Sequence, residues 1–395
     1  MGKTWFTNAV IYQIFLDRFS RGKMRDNDPM PDAMKPEFCG GNLQGVIDHL
    51  DHVERLGANA IWITPFNTTS AYHGYHVTDF FGIDPRFGST GDLQRLISAA
   101  HERNIKIVMD FVPNHASYKH PYFLDARKNP RSPYHDWFYF KKWPNRYECF
   151  LHYAELPKLN LDNPEPRKHV TDAALYWLSL GIDALRLDHA PGPSDNFWQA
   201  FVKSVRTQYP DTVLFGEAWT AGIRLRDVHT LRVGNRWWAW LLGSETLMLH
   251  YRDTFDALLD FEFNRLVGQF GRGKCDKATL EKRLRCHYDK FPSSFLPSFL
   301  DNHDMDRFLF TTGNDKERLR RAAVLQFLQP QPVIIYYGTE IGMSQQESKD
   351  AFTSYGDLVA RQMMIWDETR WDKGLFAFFQ DLIAKRKNVG TAVRD

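Results

Sequence analysis

The stretch Gly181-Ile-Asp-Ala-Leu-Arg-Leu-Asp-His189 decides the fold prediction, because it is a short apolar run that ends in a carboxylate and a histidine. Three other segments repeat this layout, namely Asp110-Phe-Val-Pro-Asn-His115, Leu214-Phe-Gly-Glu-Ala-Trp219 and Phe299-Leu-Asp-Asn-His-Asp304. Runs that are apolar throughout are typical of parallel strands covered on both faces. Polar residues at the carboxyl ends of such strands predict a functional site along one rim of a parallel sheet.

Strand-length apolar runs alternate with helix-period segments along the chain. The eight strand candidates are Val10–Leu16, Ala60–Thr64, Ile105–Phe111, Ile182–Leu187, Thr212–Phe215, Phe255–Leu259, Ser298–Leu300 and Pro332–Tyr337. Eight strand–helix units favour a closed (β/α)8 barrel, or TIM barrel, over a doubly wound sheet. The segment 116–165, rich in Pro, Tyr, His and Trp, interrupts the alternation. We therefore predict an α/β fold in which residues 1–115 and 166–395 form the barrel and 116–165 form a small inserted domain.

The composition excludes several classes of function. A net charge of +2 without a block of like charge indicates neither a nucleic-acid partner nor an anionic membrane surface. No apolar run reaches the length of about 18 residues that a membrane span needs. The four cysteines form no C-x-x-C pair, and their spacing fits neither zinc nor a disulfide scaffold. The first residues lack a signal-peptide pattern, so we expect a cytoplasmic protein.

The carboxylates of Asp110, Asp188, Glu217 and Asp304 all fall at or just beyond predicted strand ends. Arg186 shares a strand face with Asp188, so we expect it to lower the pKa of Asp188 and keep this nucleophile ionised. Glu217 lies among aromatic residues, which should raise its pKa and make it a proton donor. Cleavage of a glycosidic bond with retention needs this pairing, with carboxyl groups roughly 5–5.5 Å apart.

Each motif alone has a structural explanation. A single Asp at a strand end, such as Asp110, is more often a helix N-cap or a loop hydrogen-bonding residue. The aromatic content of 15% is explained mostly by core filling, although flat rings also suit stacking on sugars. Four such motifs at successive rim positions favour function, with His115 and His303 placed to bind sugar hydroxyls.

The segments quoted above resemble the signature regions of the α-amylase family, glycoside hydrolase family 13. Further matching segments are Val10-Ile-Tyr-Gln-Ile-Phe-Leu-Asp-Arg-Phe19, Gly40-Gly-Asn-Leu-Gln-Gly45, Gly57-Ala-Asn-Ala-Ile-Trp-Ile-Thr-Pro65, Tyr72-His-Gly-Tyr75 and Tyr336-Tyr-Gly-Thr-Glu-Ile-Gly342. Leu156-Pro-Lys-Leu-Asn160 resembles the version found in neopullulanases, cyclomaltodextrinases and maltogenic amylases. Asp301-Asn-His-Asp-Met-Asp-Arg307 looks closer to the glucanotransferase and amylase versions.

This resemblance implies roles for particular residues and an α-linked glucan or maltooligosaccharide substrate. It implies that Asp188 is the nucleophile, Glu217 the acid/base and Asp304 the stabiliser of the transition state. The implied substrate-binding residues are Arg186, His115, His303, His73, Tyr75, Asp110 and Arg307. The implied activity is that of a retaining hydrolase of α-1,4-glucosidic bonds.

The sequence departs from the family pattern in three places. Many relatives bind calcium, but here the first loop, Arg21-Gly-Lys-Met-Arg-Asp-Asn27, carries cations, and Lys158 stands where calcium-binding relatives often have Asp. One remaining ligand, Asn114, makes no site, so we predict no metal and no cofactor. The Lys-His pair that many amylases carry after the nucleophile is absent. The usual C-terminal β-sandwich is also missing, which favours small maltodextrins over starch granules.

Several alternatives share this barrel. A 4-α-glucanotransferase would use the same residues and differ only in whether water or a sugar hydroxyl is the acceptor. An enzyme that handles sucrose or trehalose is a second alternative. A non-catalytic barrel, as in transporter-associated relatives, is disfavoured because all three carboxylates are present. The segment 219–254 is a candidate for reshaping the pocket or for a contact in a homo-oligomer.

Overall fold

The computed structural model describes residues 4–23, 29, 31–220, 243–292 and 295–392. Its central sheet has eight strands. They are β1 Val10–Ile14, β2 Ala60–Ile63, β3 Lys106–Phe111, β4 Ala184–Leu187, β5 Val213–Gly216, β6 Ala257–Leu258, β7 Ser298–Phe299 and β8 Val333–Tyr336. Their spatial order is β6-β5-β4-β3-β2-β1-β8-β7, and each neighbouring pair is parallel. All eight predicted strands are therefore confirmed, most of them one or two residues shorter than expected.

The sheet closes into a barrel between β6 and β7. The backbone N–H of Phe295 donates to the carbonyl of Asp256 at 3.1 Å, and the N–H of Leu258 donates back to the carbonyl of Phe295 at 3.0 Å. The N–H of Asp260 donates to the carbonyl of Pro297 at 3.0 Å. These bonds continue the parallel ladder just ahead of β7, so the eight-stranded sheet closes on itself within the described residues. The predicted (β/α)8 barrel is confirmed.

Helices surround this barrel. The α-helices are Thr4–Thr7, Leu16–Phe19, Leu43–Asp48, Leu50–Leu56, Thr90–His101, Pro121–Lys128, Pro164–Ser179, Asp195–Gln208, Ser244–Tyr251, Phe261–Gly271, Lys277–Tyr288, Phe308–Thr311, Lys316–Phe327 and Lys373–Ala392. Several begin at strong caps: Ser89 and Asp92 form a capping box, and Asn163 precedes a proline at the first helical position. Short 3-10 helices include Thr339–Ile341, Lys349–Ala351 and Gly356–Val359.

The strands are buried on both faces because they separate two apolar layers. Ile11, Trp62, Val108, Phe215 and Ile334 belong to a cluster that fills the barrel interior. Alternate residues of the same strands belong to the larger cluster between the sheet and the helices, as the two-residue period of a strand requires. This explains why the sequence shows continuous apolar runs that end abruptly in polar residues at the rim.

The segment 116–165 contains its own helix, Pro121–Lys128, and a hairpin of Phe140–Lys142 with Arg146–Tyr147. An antiparallel bridge of His115 with Lys158 ties it to the barrel, and a second bridge, of Phe138 with Leu159, lies within the segment. The boundaries of this inserted domain stay a prediction. Most of segment 219–254 lies outside the described residues. Among the helices that are described, none combines the length and the apolar character that crossing a membrane requires.

Candidate active site

Arg186 on β4 is the centre of a cluster of carboxylates. Its Nη1 donates to Asp110 Oδ1 at 2.7 Å and to Asp188 Oδ1 at 2.8 Å, and its Nη2 lies 2.7 Å from Glu217 Oε1. The guanidinium is only 1% exposed. The three acids come from the ends of β3, β4 and β5, which are adjacent in the sheet. The structure thus brings together four of the residues that the sequence predicted for one rim.

Asp188 presents one unused oxygen. Its Oδ1 accepts from Arg186, whereas its Oδ2 is buried and has no hydrogen-bond partner among the described residues. Burial raises the pKa of Asp188 well above its usual value, and the charge of Arg186 only partly opposes this. Arg186 lowers the pKa of Asp188 as expected, but burial outweighs this effect and the net direction is upward. The sequence did not show how completely the carboxyl group is desolvated or how many acids share the guanidinium.

Glu217 follows β5 directly and is held at both oxygens. Its Oε2 accepts from the backbone N–H of His189 at 3.0 Å, while Oε1 faces Arg186. Burial raises the pKa of Glu217, and the charge of Arg186 opposes this. The upward direction agrees with the expectation for a proton donor, and its cause is burial. The aromatic neighbour Trp219 stacks on Phe261.

Asp304 differs from the other acids in its electrostatics. Its Oδ1 lies 2.9 Å from Arg361 Nη2, and its Oδ2 lies 3.1 Å from His303 Nε2. Burial alone would raise the pKa of Asp304, but the contact with His303 and the positive charges of Arg361, Arg186 and Lys349 outweigh it, and the net direction is downward. Asp304 is therefore the acid of this group that keeps its negative charge most readily, which suits a group that stabilises positive charge on a sugar ring.

Asp110 acts as a buried anchor. Its Oδ2 accepts from Trp62 Nε1 at 3.0 Å and from the Tyr75 hydroxyl at 2.8 Å, and its Oδ1 accepts from Arg186. Its side chain is 0% exposed. Asp110 thus orients Arg186 and Tyr75, both of which the sequence predicted for the site.

The three predicted histidines are neutral. Burial lowers the pKa of His115 and of His303 to about 3 in each case, and burial also lowers the pKa of His73 well below its usual value. Gln13 Nε2 lies 2.7 Å from His303 Nδ1, and the Nε2 of His115 is buried without a partner among the described residues. Neutral imidazoles can bind hydroxyl groups without adding charge beside the carboxylates.

Arg307 is not part of this cluster. Its Nη1 donates to the carbonyl of Tyr337 at 2.9 Å, and its guanidinium lies over the rings of Tyr336 and Tyr337 at 4.6 and 5.1 Å from their centroids. These contacts favour a structural role beneath the rim. Substrate binding by Arg307 stays a prediction without support from its described contacts.

Sequence reasoning missed Arg361 among the residues that hold the site. Arg361 lies just after the 3-10 helix Gly356–Val359 in the loop beyond β8. It donates through Nε to the His303 carbonyl at 2.8 Å and through Nη1 to the Tyr72 hydroxyl at 3.0 Å. No strand-end pattern marks it. Gln13, also missed, carried a usable signal, because it is a polar residue inside the apolar run of β1.

The residues at the junction between the inserted domain and the barrel do not suit a calcium ion, which the family resemblance makes a candidate there. Lys158 is 2% exposed, and its ammonium donates to the Gly192 carbonyl at 2.7 Å. Asn114 Oδ1 is the one oxygen there without a partner in the described part of the chain. A fixed ammonium repels a divalent cation and takes a carbonyl that could ligate it. Met24 to Asn27 of the first loop lie outside the described residues.

Residues 13–390 match the family model for the α-amylase catalytic domain. The chain is 36% identical over 389 residues to Alpha-amylase 2 of Dictyoglomus thermophilum and 34% identical over 407 residues to a cyclomaltodextrinase of Bacillus sp.. These alignments cover 97% of this chain but only 64% and 66% of the two relatives. The chain thus spans a little under two thirds of the length of these curated relatives.

Solved structures give the same result. A cyclomaltodextrinase superposes with a TM-score of 0.84 at 33% identity, covering 98% of this chain and 64% of that one. The ligand-free cyclic α-maltosyl-(1→6)-maltose hydrolase from Arthrobacter globiformis superposes with a TM-score of 0.82 at 30% identity, covering 97% and 84%. With a family model matched over nearly its whole length and with this rim of carboxylates, the chain belongs to the α-amylase family of glycoside hydrolases.

Proposed function

We propose that this protein hydrolyses α-1,4-glucosidic bonds of maltooligosaccharides or related dextrins with retention of configuration. The observation that carries the proposal is the arrangement around Arg186. One oxygen of Asp188 is buried without a partner, and Glu217 is held beside it on the same guanidinium. A buried acceptor without a partner is costly, and an incoming anomeric carbon would use it.

The mechanism follows from these positions. Asp188 Oδ2 attacks the anomeric carbon while the protonated Glu217 donates its proton to the departing glycosidic oxygen. Glu217, now a carboxylate, takes a proton from water, and that water breaks the ester bond to Asp188. Asp304 keeps its charge and is available for the hydroxyls of the ring under attack. The neutral His115 and His303 would bind other hydroxyls of the same sugar.

The names of relatives support the substrate class. They include cyclomaltodextrinases, Neopullulanase 2 of Thermoactinomyces vulgaris and an intracellular maltogenic amylase of Bacillus subtilis, the last 32% identical over 406 residues. We infer from these names that soluble maltodextrins and cyclodextrins are the substrates to test first. The Bacillus subtilis relative also supports a cytoplasmic location.

The test is a product analysis on maltotriose, a cyclodextrin, pullulan, isomaltose and sucrose. We expect cleavage of maltotriose, with the α-anomer as the first product in a rapid NMR measurement. Asp188→Asn should reduce kcat/KM by at least about 10³-fold, since it removes the nucleophile. An Asp188→Asn variant with undiminished activity would refute the assignment. Products longer than maltotriose would show transfer to sugar and favour the glucanotransferase alternative.

A further inference from the structure

The turn after Asp188, residues 189–192, holds Glu217 through its backbone. The N–H of His189 donates to Glu217 Oε2 and the N–H of Ala190 donates to the Glu217 main-chain carbonyl, each at 3.0 Å. The N–H of Gly192 donates to the His189 carbonyl at 2.9 Å and closes the turn. The turn therefore fixes an oxygen of the carboxyl group to which the proposed function gives the acid/base role.

The conformation of this turn needs support from outside. His189 has a φ of 44°, in the left-handed region that residues with a side chain adopt only where their surroundings hold them there. The ring of Phe150, from the inserted domain, packs edge-on against the His189 imidazole with ring centroids 4.6 Å apart. The inserted domain is thus one source of the support.

The second support is the ammonium of Lys158. It donates to the Gly192 carbonyl at 2.7 Å in a fully buried position. The backbone of Lys158 is bridged to His115, and the N–H of the next residue, Leu159, donates to the Asn114 carbonyl at 3.0 Å. The lysine therefore reaches the turn from a backbone that is fixed to the segment following β3.

The turn lies close against this same segment. A Cβ atom added at Gly192 would stand 2.1 Å from Asn114 Oδ1, so a side chain there would have to displace that of Asn114. Gly192 thus packs against the segment after β3, and its carbonyl accepts from Lys158 of the inserted domain. Loss of the ammonium would leave that carbonyl without this charged donor and release one end of the turn.

We propose that Lys158 is a positioning residue for Glu217. Its ammonium anchors the 189–192 turn, and the turn directs the His189 N–H at the carboxyl group that protonates the leaving oxygen. The inference rests on the proposed acid/base role of Glu217. It predicts a defect confined to reactions that need a proton donor, which a general loss of packing would not produce.

The test compares two substrates that differ in their leaving group. Maltotriose needs protonation of the departing oxygen, whereas α-maltosyl fluoride releases fluoride without a proton donor. Lys158→Met keeps the length of the apolar stem and removes the ammonium. We expect kcat/KM of this variant to fall about 10- to 100-fold more on maltotriose than on the fluoride, a part of the 10²–10⁴-fold that general acid catalysis contributes.

Two matched variants serve as controls. Lys158→Arg keeps a cation at the same place, so we expect its ratio of kcat/KM on maltotriose to kcat/KM on α-maltosyl fluoride to be close to that of wild type. Lys168→Met removes an exposed lysine, whose side chain is 76% exposed on the helix Pro164–Ser179, and should change neither rate. An unchanged ratio in Lys158→Met would overturn the inference, because partial misfolding lowers both rates equally.

Phe150→Leu is a second variant that acts on the same turn. If Lys158→Met does not fold, Phe150→Leu is tested instead, because it weakens the other support of the turn. The ratio of kcat/KM on maltotriose to kcat/KM on α-maltosyl fluoride must then fall for the inference to stand. If the wild-type protein cleaves neither substrate, or if Asp188→Asn cleaves both as well as wild type, the proposed function fails first and the role of Lys158 fails with it.

Discussion

The ring of Tyr75 lies parallel to the imidazole of His303, with centroids 5.5 Å apart and an angle of 4° between the planes, and its hydroxyl is 2.6 Å from His303 Nε2. The same hydroxyl donates to Asp110 Oδ2. Because the amide of Gln13 can donate to Nδ1, Nε2 carries the imidazole proton. Tyr75 therefore joins the anchor of Arg186 to the histidine that faces Asp304.

Replacing Tyr75 by Phe tests this connection. The stacked ring is kept, and the two hydrogen bonds of the hydroxyl are lost. We expect kcat/KM on maltotriose to fall about tenfold and the free energy of unfolding to fall by about 1 kcal/mol. Tyr176→Phe, on the outer helix Pro164–Ser179, is the matched control. Full activity of Tyr75→Phe would mean that the hydroxyl does not organise the site.

Arg361 should hold down the pKa of Asp304. Its guanidinium is one of the charges that keep the pKa of Asp304 low. Arg361→Met removes that charge, so the pKa of Asp304 rises and the carboxylate becomes protonated at a higher pH. We expect the carboxyl carbon of Asp304, followed by ¹³C NMR, to titrate at a higher pH in Arg361→Met than in wild type. Arg55→Met, which removes an exposed arginine, should leave this titration in place. An unmoved titration of Asp304 in Arg361→Met would contradict the coupling.

The strands and the reacting acids could be predicted because each leaves a local mark. An apolar run such as Ala184–Leu187, followed at once by Asp188, records both burial on two faces and the position of the rim. Asp110, Glu217 and Asp304 follow the same rule. Local pattern is sufficient where the barrel places every strand end at one rim.

The supporting contacts could not be predicted in the same way. Arg361 contacts Asp304 from 57 positions further along the sequence. The direction in which the pKa of Asp188 shifts depends on its burial and on the charges of Arg186 and the neighbouring acids. Such effects arise from packing between distant segments. The same reason explains why Arg307, three residues after Asp304 on a matching motif, lies beneath the rim instead of on it.

Metal removal should have no effect on this protein. Lys158 places an ammonium on the Gly192 carbonyl at the junction where a calcium ligand set would need oxygens. We expect the melting temperature and the kcat/KM on maltotriose to be the same before and after dialysis against a chelator. A fall of several degrees that added Ca²⁺ reverses would show a cation site elsewhere and contradict this prediction.

His287 should make stability depend on pH. Its buried imidazole contacts Asp260 at 3.0 Å and Glu245 at 2.8 Å. Burial alone would lower the pKa of His287, but the two carboxylates outweigh it and raise the pKa to about 9. A pKa raised on folding means that the charged imidazole stabilises the folded state fully below an unfolded pKa of about 6.5 and that this contribution is lost as pH rises toward 9.

The size of the shift corresponds to about 3 kcal/mol. We therefore expect the free energy of unfolding, measured by urea titration, to decrease between pH 6.5 and pH 9. His287→Gln should be less stable than wild type at pH 6 and should lack most of this decrease. His101→Gln, whose partly exposed imidazole pairs with Asp183, provides the comparison at a more solvated site. Equal pH dependence in wild type and His287→Gln would show that other groups govern stability in this range.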